Sequence, residues 1–265
     1  MNEHTVMRVM QPRRNRQVIL GVKFDLIGSA DAHLTIEAWR QRRERHYITF
    51  SNPYVAVLCR RDEETAVALG RAGLTLPDGA GIVLAARLLG CHSLRRVTGP
   101  TFMLEICDWG RERGYRHFFY GGKEGVANTL AERLCQQFPG LEVAGTYSPP
   151  FRTLTQEEDE AAVRMINATR PDVVWVGLGA PKQEKWMAAH VGRIEAAAMI
   201  GVGAAFDFHS GNVKWAPAWV RRIGMEWAWR LAHEPRRLWR RNLDSPLFLL
   251  AVLRQRILMM LGRSR

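Results

Sequence analysis

Four short stretches hold residue types that chemistry could use. Leu76-Pro77-Asp78-Gly79-Ala80-Gly81 sets one carboxylate at the end of an apolar run, among glycines and ahead of an apolar helical pattern. Held in a glycine-walled pocket, that carboxylate can take a proton from an attacking hydroxyl; equally, an Asp here suits the N-cap of the next helix, a role worth about 1 kcal/mol. Arg95-Arg96-Val97-Thr98-Gly99 follows, with Thr98 suited to cap a helix and Arg96 either reaching a phosphate or simply solvated. Gly121-Gly122-Lys123-Glu124-Gly125 is a glycine turn opening a helix, where backbone N–H groups and a lysine can approach a phosphate, although such a turn also serves packing alone. Gly177-Leu178-Gly179-Ala180-Pro181-Lys182-Gln183-Glu184 lacks the third glycine of a dinucleotide fingerprint. Pro181 suits a first helical turn, and Gln183 either points a donor and an acceptor at a ligand or decorates an exposed turn together with Glu184.

Other chemistries have no foothold. Asp-x-Asp, His-Glu-x-x-His and Gly-x-Ser-x-Gly are absent, so neither a metal site nor a nucleophile is expected, and no cofactor is implied. Cys59, Cys91, Cys107 and Cys135 form no CxxC pair and read as single thiols in a reducing compartment. His117, beside an apolar run, reads as structural.

These stretches need elements to position them. Short β-rich runs at 18–22, 47–50, 74–76, 117–120, 141–144, 173–176 and 197–202 alternate with helical patterns from about Asp31, at 62–70, at 82–89, from about Gly125, at 155–169 and at 182–190. Such alternation predicts an α/β fold, a Rossmann-like and mostly parallel sheet with helices on both faces. Three of the four candidate stretches then follow a strand, at the carboxyl ends where such sheets bind ligands, and the Arg95–Gly99 stretch comes shortly after the first of them.

Charge divides the chain of 265 residues, whose net charge is +12. Residues 212–265 carry +9 and residues 1–17 carry +3, so the body at 18–211 is neutral. Five of the nine tryptophans (Trp215, Trp219, Trp227, Trp229 and Trp239) fall after Gly211, interleaved with arginines. The expected organisation is a basic N-terminal segment at 1–17, an α/β domain at 18–211 and a basic helical appendage at 212–265. Tryptophan with arginine suits an anionic membrane surface. The same pattern also suits a helix packed on the core, and the two can hold for different residues. No secretory signal and no run of about 18 apolar residues is present, which predicts a cytoplasmic protein, peripheral on the membrane.

Together the motifs resemble the WecG/TagA/CpsF family of bacterial glycosyltransferases from about Tyr47 to Arg241. The residues that carry the resemblance are Asn52-Pro53, Pro77-Asp78-Gly79-Ala80-Gly81, Arg96-Val97-Thr98-Gly99, Gly121-Gly122-Lys123-Glu124, the 177–184 stretch, Gly201-Val202-Gly203-Ala204-Ala205-Phe206-Asp207 and Glu226-Trp227-Ala228-Trp229-Arg230-Leu231. The resemblance implies an inverting, metal-independent hexosyltransferase of cell-surface polysaccharide synthesis. It would move a hexose or N-acetylhexosamine from a nucleotide-diphosphate sugar to a polyprenyl-diphosphate-linked sugar. Asp78 is then the general base, Arg96 a diphosphate contact, Asn52 and Gln183 pocket residues, and Arg230 and Arg237 tail arginines on the substrate diphosphate. Two positions depart from the family: Phe50 stands where a Thr usually precedes the asparagine by two, and the usual Lys-Arg-Ala-Pro reads Lys214-Trp215-Ala216-Pro217.

Two other classes compete. A Rossmann oxidoreductase explains the sheet and glycine turns but not the basic tail, and nicotinamide or flavin absorbance would reveal it. Nucleic-acid binding through the tail leaves the α/β body without a role, so no nucleic acid is expected as partner. A homo-oligomer is compatible with the sequence.

Overall fold

The computed structural model describes residues 15–236, 239 and 244–262. Its centre is a six-stranded parallel sheet in the order β4-β3-β8-β7-β5-β6. The strands are β3 (His46–Ser51), β4 (Leu74–Pro77), β5 (Arg116–Gly121), β6 (Glu142–Tyr147), β7 (Val173–Gly177) and β8 (Ala198–Gly201). The apolar runs of β5, β7 and β8 fit strands buried on both faces, whereas the edge strand β6 has no buried residue. Register pairings line up Leu74, Ile48, Ile200, Trp175 and Phe119 in one row across the sheet. That row joins one core cluster with Ile36 and Trp39 of α1 (Ser29–Gln41), Phe102 and Ile106 of α5 (Gly99–Arg111) and Leu130 of α6 (Val126–Gln137). The alternate residues Tyr47, Met199, Val174 and Phe118 form a second row, which packs with Ile166 of α7 (Gln156–Ala168) and Met187 of α8 (Lys182–His190).

Helix starts follow local chemistry. Thr155 and Glu158 close a capping box on α7, and Asp62 caps α3 (Glu63–Gly70) through the Thr65 N–H. One expectation fails: the run at 18–22 is not a single strand. β1 (Arg16–Ile19) and β2 (Val22–Asp25) form an antiparallel hairpin, because Leu20 and Gly21 both take positive φ (51° and 87°), the geometry of a tight two-residue turn. Leucine is not a turn residue by composition, so the reversal left no mark in the sequence. Arg16 is therefore inside a strand rather than in a basic leader. Its Nε donates to the buried Asp25 at 2.8 Å, and Asp25 also accepts the Thr75 N–H at 2.8 Å, joining the hairpin to β4.

The region after Gly211 supplies α10 (Ala218–Arg222), α11 (Glu226–His233) and a last helix, α12 (Asp244–Met260). Preceding them are α2 (Pro53–Leu58), α4 (Ala80–Leu88) and α9 (Ala205–His209). Phe248 and Val252 of α12 are buried in a third cluster with Ile19, Phe24, Val55 and Ile82. Gln255 bridges the hairpin turn, accepting from Leu20 N at 2.9 Å and donating to Val18 O at 3.1 Å. The tail is thus packed into the body near its N-terminal hairpin. All four cysteines are free.

Candidate active site

The carboxyl ends of β3 and β4 lie side by side, Ser51 opposite Pro77, so Asn52 and Asp78 leave the sheet together. The Asp78 N–H donates to Ser51 O at 2.9 Å. Gly79, at φ +96°, is the N-cap of α4, a backbone conformation that favours glycine. Asp78 is therefore not the cap, and the structure removes that alternative. Asp78 is half-buried, and among the described residues none hydrogen-bonds its carboxylate. Close packing holds the two loops together: a methyl on Gly81 would stand 2.7 Å from Pro53 Cγ. Asn52 caps α2, its Oδ1 accepting from Val55 N at 3.1 Å.

The electrostatics at Asp78 suit a base. Burial, followed by the negative charge of Glu226, pushes its carboxyl up to about 7, while Arg230 and Arg96 pull the other way. A group poised near the working pH is the efficient proton acceptor. Arg96 is half-buried: its Nη2 donates to Arg221 O at 2.6 Å, which leaves the rest of the guanidinium beside Asp78. Arg230 sits one turn after Glu226, its Nε 3.9 Å from Glu234 and its guanidinium 5.4 Å over Phe208. Arg237 lies outside the described residues.

At the ends of β5, β7 and β8 polar groups are held differently. Gly121 pairs with Gly177 in register, and the Gly122 N–H donates to Gly177 O at 3.1 Å. Lys123 is exposed in the turn leading to Gly125, the N-cap of α6. Thr98 is the N-cap residue of α5, although its hydroxyl donates to Thr101 Oγ1 rather than to the backbone. Gln183 and Glu184 do not decorate an exposed turn; both are buried. The Gln183 Nε2 donates to Glu184 Oε1 at 3.0 Å and Gly201 O at 3.2 Å, while its Oε1 accepts the Gly179 N–H at 3.1 Å. Gln183 thus ties the loop after β7 to β8. His117 is buried in the core, its Nδ1 accepting from Trp175 Nε1 at 3.1 Å, and burial lowers its pKa to about 3.

Beside this corner a cavity of about 460 Å³ opens between Gly122, Leu178, Lys182 and the 149–155 loop. One wall is aromatic, with Trp186 stacked between Tyr120 and His190 at centroid distances of 4.3 and 4.1 Å. Asp78, Asn52 and Arg96 do not line it, so the catalytic candidates and the cavity occupy different strand ends.

The sequence motifs include Glu226 without a role, count Arg221 only among the tail arginines suited to a lipid surface, and omit Trp186. Their roles come from contacts between segments far apart in the chain, and no local spacing announces them. Among the described residues no three His, Cys, Asp or Glu side chains cluster as a metal site, and no helix is long and apolar enough to cross a membrane.

Curated proteins resemble this chain over most of its length. A protein of Bacillus spizizenii (strain W23), described as N-acetylglucosaminyldiphosphoundecaprenol N-acetyl-beta-D-mannosaminyltransferase, is 35% identical over 208 residues, covering 78% of this chain and 79% of that protein. Its namesake in Bacillus subtilis (strain 168) is 32% identical over 80% of this chain and 84% of its own. The Staphylococcus aureus (strain MW2) protein of the same description is 27% identical over 87% and 89%. Residues 17–260 match the profile of the glycosyl transferase WecG/TagA/CpsF family, and with a Rossmann-like sheet carrying Asp78 at a strand end the chain belongs to that family and is a glycosyltransferase.

Proposed function

We propose that the protein transfers a hexose or N-acetylhexosamine, with inversion and without a metal, from a nucleotide-diphosphate sugar to a polyprenyl-diphosphate-linked sugar. The observation that carries the reading is Asp78: a carboxylate with no hydrogen-bond donor of its own among the described residues, held near neutrality and flanked by Arg96 and Arg230. In the reaction Asp78 takes the proton of the acceptor hydroxyl as its oxygen attacks the anomeric carbon. The bond to the donor diphosphate breaks and its electron pair leaves with the phosphate, whose charge the arginines meet. Asn52 lines the reaction end. Gly121, Gly122, Lys123 and Gly179 flank the other end, where the aromatic wall of the cavity suits a nucleotide base. From β4 to β5 is four interstrand steps, about 19 Å, a span suited to an extended nucleotide-diphosphate sugar. The relatives named above transfer N-acetylmannosamine by their descriptions, which makes that sugar the first donor to try.

A lipid-linked acceptor requires the site to meet a membrane. Trp219 (64% exposed), Trp227 and Trp239 face outward on the tail, together with Leu250 and Ile257 of α12, while Trp215 is stacked on Phe208 and Trp229 on His233. The tryptophans thus divide between a lipid-facing set and a packing set, and the exposed set favours an anionic surface.

The test supplies purified protein with a panel of nucleotide sugars and a polyprenyl-diphosphate-linked sugar in anionic vesicles, with and without EDTA. Expected are transfer that survives EDTA and a product of inverted anomeric configuration by NMR. Retention of configuration, or activity only with added divalent cation, overturns the mechanism.

A further inference from the structure

We infer that Glu226 is a positioning residue of the transfer reaction: the tail packs the start of its helix against the loop after β4, setting the Glu226 carboxylate beside Asp78, the group that takes the acceptor's proton. The inference rests on reading Asp78 as the base.

The geometry begins with the clasp that brings the tail there. The Trp215 ring stacks on Phe208 of α9, with centroids 6.2 Å apart, and carries the Arg221 guanidinium 3.8 Å from its own centroid. The Arg221 carbonyl accepts from Arg96, and Val220 of the same helix is buried. At Gly224, φ is +78°, and a methyl there would stand 2.6 Å from Ala80 Cβ. The backbone two residues before Glu226 therefore rests on the residue two after Asp78, and no side chain fits between them. Met225 N–H closes back onto Val220 O at 3.1 Å, which sets the start of α11.

Glu226 occupies the first turn of α11, where the helix N-terminus favours a negative side chain. Arg230 follows at i+4 on the same face. The charged groups facing Asp78 are then Glu226 and Arg230 from α11 and Arg96 from the segment after α4. The two arginines favour the carboxylate form; burial is the larger push against them, and Glu226 adds to it. One face of one helix thus divides the work, with Arg230 placed for the departing diphosphate and Glu226 for the base. On transfer, the acceptor O–H proton passes to an Asp78 oxygen while the acceptor oxygen takes over the anomeric carbon from the diphosphate.

Two measurements test this on the full chain. The first is the pH dependence of kcat/KM for wild type, Glu226→Gln and Glu226→Asp. Removing the negative neighbour lowers the pKa of Asp78, so the acid limb should move down by about one pH unit in Glu226→Gln, with slower turnover on the alkaline plateau. Glu226→Asp should return the limb towards wild type. The second is a carbon-13 carboxyl titration of the protein without substrate, with the Asp78 signal identified by its loss in Asp78→Asn. In wild type that signal should show a second inflection as Glu226 ionises, and Glu226→Gln should abolish it. Equal loss of activity at every pH with an unmoved limb overturns the inference, as does a single Asp78 inflection in wild type. The wild-type titration decides even if Glu226→Gln does not fold. Absence of any transfer by the wild type sinks the functional reading, while the titration still judges Glu226.

Discussion

The two halves of the sheet's carboxyl edge use their polar groups in opposite ways. At β7 and β8, every function of the Gln183 amide is taken by protein: Gly179 N–H on its oxygen, Glu184 and Gly201 on its nitrogen. At β3 and β4, the Asp78 carboxylate has charges around it but no hydrogen-bond donor among the described residues. Saturated groups rigidify, whereas a partly desolvated carboxylate with an unmet demand is destabilising unless a ligand uses it. The contrast separates a corner whose amide holds loop geometry from the corner we propose to react, although both were candidate ligand contacts in the sequence.

Asp78→Asn should produce the largest effect. Because Gly79 and not Asp78 is the cap of α4, the amide costs the helix nothing, yet it cannot accept a proton. Turnover should fall by about 10²–10⁴-fold, with circular dichroism unchanged and donor binding retained. Near-normal kcat would move the base elsewhere. Arg96→Ala comes next: it removes a cation beside the departing diphosphate and one anchor of the tail, the bond to Arg221 O. Its kcat should fall by about 10²-fold, and Arg96→Lys should recover only part, since one ammonium cannot serve the carbonyl and a phosphate in the guanidinium's fixed geometry. Full recovery by lysine would reduce Arg96 to a point charge.

Much of the reactive corner's position was legible in the sequence and little of its tuning. Short β-rich runs such as 173–176 and 117–120, alternating with helical patterns, read as strands of a covered parallel sheet, and Thr155 with Glu158 writes the start of α7 into the local sequence. Strand ends followed from those runs, and with them the location of Asp78, Asn52 and Gly179. The hairpin turn at Leu20-Gly21 was not legible, because its support comes from Gln255, 235 residues away. Neither was the division of the tail's tryptophans: Trp215 and Trp219 are alike as letters, and only the position of Phe208 makes one a packing ring. The setting of Asp78 comes from burial and then from Glu226, whose helix starts two residues after Gly224, which packs against Ala80, a tertiary contact with no sequence period.

The smallest change in turnover, and the sharpest discrimination between the two corners, should come from Gln183→Ala. The sequence suggested that Gln183 holds a sugar or a base, in which case the variant would bind donor poorly and keep its stability. In the structure its amide sits between three protein groups, so the substitution leaves the half-buried Gly179 N–H and the buried Gly201 carbonyl without that partner. Losing such partners costs about 1–3 kcal/mol for each buried group that water does not reach. Thermal unfolding should therefore drop by several degrees. The loop bearing Gly179 would loosen, so KM for the donor should rise a few-fold while kcat stays within a few-fold of wild type, because Asp78 and its charged neighbours stand on other strands. Should Gln183→Ala instead keep its melting temperature and lose kcat as deeply as Asp78→Asn, the amide contacts the reacting groups in the bound state. The two corners would then be one site.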